Sequence, residues 1–251
     1  MIPMGNRLLE IVAATTFGLL LGLAGYGLWL SSQSGSEPDP TSSVTEPADT
    51  LIDTGDKQEQ PTDWSDLSAA YERSRTATFA LDGVLARDRP GQASTVAVRQ
   101  ARAEGRSLDE IGTIAIVTSN EFLRRCELIA GRVLCTNPEP AASVDQEVAA
   151  FNQLISGPDA IYSVYETDPV EAQAALGAVP STQANAVDCW SLIAVEVGLL
   201  GQYGDETLIC FETQSGVLVG RITRNGDATD TFAVTDLRFV VDQADLEPTG
   251  A

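Results

Sequence analysis

The chain has no histidine and a single lysine, Lys57. Without imidazole there can be no Ser-His-Asp or Cys-His nucleophile pair, no His-bearing zinc site, and no imidazole acid or base working near neutrality. One lysine in a polar stretch is poor ground for Schiff-base chemistry. Positive charge is scarce throughout, with 15 Lys plus Arg against 36 Asp plus Glu and a formal net charge of −21. This excludes a nucleic-acid partner, because phosphate binding needs a basic surface that releases counterions. The shortage is uneven. Arg73 to Arg132 holds ten Arg against seven acidic residues, whereas Val133 to Gly220 holds twelve acidic residues and no basic one. One side of the folded domain should therefore be strongly negative and repel anionic headgroups. No cofactor or metal is implied.

What is present begins with Ile11 to Leu30, IVAATTFGLLLGLAGYGLWL, twenty residues without a charge. At a helical rise of about 1.5 Å per residue this run spans a hydrocarbon core of about 30 Å. Arg7 precedes it and an acidic stretch follows, which predicts a cytoplasmic N-terminus and an extracytoplasmic C-terminal domain on the cell membrane. A cleaved signal peptide is the competing reading, but the run exceeds the usual h-region and no Ala-x-Ala site follows it. Ala14, Gly18 and Gly22 have the small-residue spacing that permits weak self-association of membrane helices. Ser31 to Asp63 is rich in Ser, Thr, Pro, Asp and Glu and reads as a disordered acidic stalk. The organisation expected is thus residues 1–30 as cytoplasmic tip and transmembrane helix, 31–63 as stalk, and 64–251 as the extracytoplasmic domain.

Within that domain alternation of apolar residues dominates. Thr78 to Ala86, Ser94 to Arg99, Thr113 to Thr118, Glu121 to Ile129 and Arg132 to Thr136 read as strands, whereas polar Arg102 to Glu110 reads as a long exposed loop. Ser143-x-x-Gln146 has capping-box spacing ahead of Val148, Phe151 and Ile155, and Gly157-Pro158 ends that helix. Asp168-Pro169 opens a shorter helix to Leu176. Strands resume at Val187 to Val197, Thr207 to Thr213, Val217 to Thr223 and Thr229 to Val241, with Asn225-Gly226 as a two-residue turn. The fold class is α+β: a twisted antiparallel sheet with inserted helices. Trp190, Phe211, Phe232 and Phe239 are expected in its core.

Four cysteines in an exported domain imply two disulfides, and three pairings are possible. Cys126 and Cys135 are symmetric about Ala130-Gly131, so a two-residue hairpin there puts them directly opposite one another. A bulge at Gly131 would shift that register by one. Cys189 and Cys210 flank a second hairpin with Gly198 to Asp205 as its loop. Zinc is the rival reading, but neither pair has the short gap of such sites and no histidine completes one.

The runs RRCELIAGRVLCT (Arg124 to Thr136), DCWSLIAVEV, ETLICFETQSGVLVGRITR and ATDTFAVTDLRFVVDQADLEP resemble secreted actinobacterial-type envelope proteins whose shape is that of the LolA and LppX/LprG half-barrels. The resemblance covers about Trp64 to Pro248 and implies a twisted sheet wrapped around helices with a concave apolar face. The better-known members carry lipids or acyl chains. An acyl-chain site here would include Phe79, Leu81, Ile114, Ile116, Phe151 and Leu154. This chain lacks their lipobox cysteine and carries a spanning anchor instead, and a tethered domain cannot diffuse away with cargo.

Asp188, Glu196, Asp205, Glu206 and Glu212 could be imagined as catalytic carboxylates, but period-two placement on strands and in a turn accounts for them, and the chain reads as a non-enzyme. Asn225-Gly226-Asp227-x-x-Asp230 superficially has calcium-loop character, but its glycine is misplaced and no bidentate Glu follows. The reading favoured is a membrane-tethered extracytoplasmic interaction or sensing module of the cell envelope. The alternative is a lipid- or acyl-chain-binding half-barrel. Protease added to whole cells should cut within Ser31 to Asp63 and release an intact domain. A mature soluble protein beginning near Ser31 would contradict the anchor.

Overall fold

The computed structural model describes residues 63–176, 186–196 and 203–249. The expected span Ile11 to Leu30, the Ala14-Gly18-Gly22 stripe and the stalk as far as residue 62 lie outside the described residues. Among those described, no helix is long and apolar enough to cross a membrane.

The described residues open with α1 (Ser65–Thr76) and then run as a meander through β1 (Phe79–Arg89), β2 (Gln92–Ala103), β3 (Arg106–Ile111), β4 (Ile114–Thr118), β5 (Phe122–Ile129) and β6 (Arg132–Cys135). A short β7 (Glu139–Pro140) returns to β5. After it come α2 (Val144–Ile155), β8 (Tyr162–Thr167), α3 (Pro169–Leu176), β9 (Val187–Ala194), β10 (Glu206–Glu212), β11 (Leu218–Asn225), β12 (Ala228–Arg238) and a 3-10 turn at Gln243–Leu246. All strands form one antiparallel sheet in the order β6-β5-β4-β3-β2-β1-β12-β11-β10-β9-β8, with β7 beside β5. This is the open α+β half-barrel expected from the sequence.

Tight turns set the register. At Ala130-Gly131 both residues have positive φ, 51° and 76°, the geometry of a two-residue hairpin turn whose twist matches the strands. Ile129 pairs with Arg132 and Cys126 with Cys135, so no bulge intervenes and the disulfide forms with a Cα separation of 4.0 Å. Cys189 and Cys210 are likewise directly opposed and bridged. At the last hairpin Asn225 pairs with Ala228, so the turn residues are Gly226-Asp227, one position later than expected. Gly226, with φ 55°, takes the first central position that the turn requires.

The segment Arg102 to Glu110 is not a loop. It completes β2 and forms β3 around Glu104-Gly105, whose φ values are 50° and 74°. Its polarity is absorbed by cross-strand pairing. Arg99 bonds Glu110 at 2.9 Å on one face and Gln100 bonds Asp109 at 2.9 Å on the other, while Ala101 and Leu108, the next pair on the Arg99 face, are buried. A charged strand residue that has a partner directly opposite need not be exposed. Phe239 also departs from expectation: it lies just past the end of β12 and is 44 % exposed, while Trp190, Phe211 and Phe232 are buried.

Strands β9 and β10 are buried on both faces. Trp190, Leu192, Ile209 and Phe211 pack with Leu67, Ala70 and Tyr71 of α1 and with Phe151 and Ile155 of α2. Cys189, Leu208 and Cys210 join a second cluster with Ala172 and Leu176 of α3, which continues to Phe79, Leu81 and Phe232. Gly220 makes room for α3, since a Cβ there would stand 2.5 Å from Leu176 Cδ1. The helix α2 starts as the sequence predicts, with both arms of the capping box made: Ser143 Oγ accepts from the Gln146 N–H, and the Gln146 side chain accepts from the Ser143 N–H. Phe151, 1 % exposed, anchors α2, so Phe151→Ala should cost about 3–5 kcal/mol in urea unfolding. A loss below about 1 kcal/mol would contradict this packing.

Candidate functional site

The helices α1 and α2 meet along two matched pairs. Tyr71 and Arg75 stand four residues apart on α1, and Glu147 and Phe151 stand four apart on α2, so each pair lies on one helix face. The rings of Tyr71 and Phe151 stack at 4.1 Å, and Arg75 Nε donates to Glu147 Oε2 at 2.5 Å. The ionic side chains are only 14 % and 10 % exposed. Their location also suits the helix dipoles, with Arg75 in the last turn of α1 and Glu147 in the first turn of α2.

Beneath this junction β2 and β3 add further charge. Arg102 Nη1 donates to the Ser74 carbonyl at 2.6 Å, which places Arg102 on the inner face of the sheet below α1, and its guanidinium lies 6.0 Å from the Phe79 ring centre. Burial, and then repulsion from Arg75, lowers the Arg102 pKa to about 10, so it stays protonated at neutral pH. Burial raises the Tyr71 phenol to about 12. For Arg75 burial acts downward but is outweighed by Tyr71, Glu147 and Asp109, and the net shift is upward. Asp109 keeps partial contact with solvent, yet burial raises its pKa against the opposing pull of Arg102, Arg75 and the Gln100 hydrogen bond.

A cleft of about 400 Å³ opens at the edge of this cluster. Its walls are the end of α1, the start of α2, the β2–β3 turn and the β4–β5 turn, and they include Arg75, Arg102, Arg106, Thr118, Asn120 and Glu147. Gly105 is required there twice over, because its φ is positive and a Cβ would collide with the Asn120 amide.

The six residues expected to line an acyl-chain site are placed as follows. Phe79, Leu81 and Phe151 are 7 %, 1 % and 1 % exposed, Ile116 is 8 % exposed, and Ile114 and Leu154 are half-buried. They do not converge. Phe79 and Leu81 belong to one core cluster and Phe151, with Leu154 against it, to another. The cross-strand row that joins Leu81 to Ile116 passes through Gln100 and Asp109, and the next row runs Phe79, Arg102, Ser107, Thr118. The inner face of β2–β4 is thus polar in these two rows, while the row on the other side of Leu81, which runs Gly83, Val98, Ile111, Ile114, is apolar.

Of the carboxylates considered for chemistry, Asp205 and Glu212 have local partners. Asp205 Oδ2 accepts from the Gly226 N–H at 2.9 Å, and buried Glu212 accepts from the Ser215 N–H and hydroxyl at 2.7 and 2.5 Å. Among the described residues no group of three His, Cys, Asp or Glu stands close enough to hold a metal ion. The Arg75, Arg102, Asp109, Glu147 cluster was not predicted. The turn residues Glu104-Gly105 carry the signal for half of it, since counting outward from them pairs Arg102 with Ser107 and Gln100 with Asp109.

No family model matches the chain, and no curated protein matches it. Solved structures do. The chain is similar to a LolA superfamily protein from Nitrosomonas europaea, at 9 % identity over 72 % of this chain and 94 % of that one, with a TM-score of 0.30. It is similar to LprF from Mycobacterium bovis, at 10 % identity over 73 % and 97 %, TM-score 0.30. It is also similar to a chain of the Pseudomonas aeruginosa MucA/MucB complex, at 14 % identity over 73 % of this chain and 60 % of that one, TM-score 0.40. The resemblance to LolA- and LprG-like half-barrels read in the sequence is met again here.

The raised pKa of Asp109 gives a signed expectation. The protonated form is the one the fold favours, so the ionised carboxylate is a cost at neutral pH that disappears as pH falls through its pKa. Asp109→Asn should therefore raise the thermal midpoint at pH 7.5, and the gain should shrink toward zero by about pH 3.5, below the usual carboxylate pKa. A lower midpoint at pH 7.5 would show that the charge itself is stabilising.

Proposed function

We propose that this chain is a non-enzymatic interaction module of the cell envelope, held outside the membrane by Ile11 to Leu30, with an interior filled by its own side chains. The observation that carries this reading is the row Leu81, Gln100, Asp109, Ile116. An acyl chain crossing the inner face from Leu81 to Ile116 would strip water from a hydrogen-bonded amide–carboxylate pair and offer it nothing in return, a loss of order 1–3 kcal/mol or more. The apolar face of α2 is already spent on β8–β10 through Phe151 and Ile155. Two disulfides support an oxidising, extracytoplasmic location. The partner would meet a polar inner cleft and, on the 88-residue stretch without Lys or Arg, a negative exterior.

Native mass spectrometry of the protein purified from its own host tests the filled interior. The expected spectrum is that of the bare polypeptide. A stoichiometric lipid that is lost on replacing Leu81 or Ile116 by a larger residue would overturn the proposal in favour of a lipid-binding half-barrel.

A further inference from the structure

Three arginines line the cleft, and two are committed. Arg75 is held by Glu147, and Arg106 by Glu247 at 3.1 Å and Gln243 at 3.4 Å. Arg102 is different. It gives one N–H to the Ser74 carbonyl, stacks near Phe79, and has no ion pair among the described residues. Asp109 and Glu147 attract it electrostatically without forming an ion pair with it, Asp109 accepting from Gln100 and Glu147 from Arg75, and Glu104, which with Glu147 also lines the cleft, sits on the exposed turn. A guanidinium has five N–H donors in a planar fork, so most of those on Arg102 have no protein acceptor.

The register places hydroxyls beside it. Arg102, Ser107 and Thr118 are directly opposed on β2, β3 and β4, so they occupy one row of one face at a strand spacing of about 4.8 Å. All three line the cleft. A charged planar donor flanked by hydroxyl donors, in a partly desolvated recess, is complementary to the oxygens of an anion and to little else. Charge-assisted hydrogen bonds gain strength in such a recess.

From this we infer that the cleft is a binding site for an oxyanion, a carboxylate or phosphate group carried by a polar molecule, with Arg102 as its charge partner and Thr118 and Ser107 as accessory donors. The volume, about 400 Å³, admits a small polar ligand or the terminal group of a larger one. A protein of net charge −21 repels anions at a distance, so selection depends on contact inside the cleft rather than on steering. The inference rests on the reading that the inner face serves a polar partner.

The test is anion protection of Arg102 in the full-length chain in detergent. Methylglyoxal, a small arginine-specific dicarbonyl, is applied with and without inorganic phosphate or acetate, and modified sites are read by peptide mass spectrometry. Either or both anions should slow Arg102 modification at least tenfold in a saturable way and leave exposed Arg132 unchanged. Protection by phosphate alone identifies a phosphoryl group, and by acetate alone a carboxylate. Thr118→Val should raise the half-protecting concentration several-fold. Equal Arg102 rates with and without both anions, or an Arg102 that the reagent cannot reach, overturns the inference. Recovery of a bound lipid is a separate readout, so an absence of both protection and lipid sinks this site while sparing the broader proposal.

Discussion

The buried Arg75–Glu147 pair is the constraint on which the rest of the inner face depends. A guanidinium and a carboxylate this enclosed are tolerated only together, since removing one partner leaves an uncompensated charge whose cost is typically 3–5 kcal/mol. The pair fixes the end of α1 against the start of α2, and the Tyr71–Phe151 stack one turn away fixes their relative rotation. With α1 so placed, the Ser74 carbonyl is presented to Arg102 and the cleft acquires its wall. Helix packing, charge burial and the candidate site are therefore one arrangement.

The sheet contributes a division of labour. Strands β8–β11 carry apolar residues on both faces and bind the three helices, which is where most of the core lies. Strands β2 and β3 carry charge on both faces. On the outer side Arg99 and Glu110 receive the C-terminal segment, with Arg99 donating to the Glu247 carbonyl and Glu110 accepting from the Thr249 N–H at 3.0 Å. On the inner side the same strands supply Gln100, Arg102 and Asp109. A half-barrel built to hold a chain of methylenes would have those positions apolar, and here they are Gln, Arg and Asp.

Much of the scaffold was legible in the sequence because its determinants are local. Two-residue turns count outward to a register, which is why Cys126 was found opposite Cys135, and Ser143 with Gln146 located the start of α2. The failures have a common physical origin. Arg102 to Glu110 reads as exposed because it is charged, although Asp109 and Glu110 have partners across the turn and Arg102 reaches a helix carbonyl, and Phe239 reads as core because it is aromatic, although the strand ends before it. The candidate site was illegible as a site because its contacts join residues 28 and 72 positions apart in the chain. No local pattern brings Ser74, Arg75, Arg102 and Glu147 together. Only the tertiary packing of α1 and α2 over β2 and β3 does.

The most direct measurement is a crystal structure of the protein purified from its own host, inspected for density on the inner face between Leu81 and Ile116. The predicted result is discrete ordered water bonded to Gln100, Asp109 and Arg102. Continuous elongated density lying across the Gln100–Asp109 pair, with those side chains turned away from one another, would contradict it.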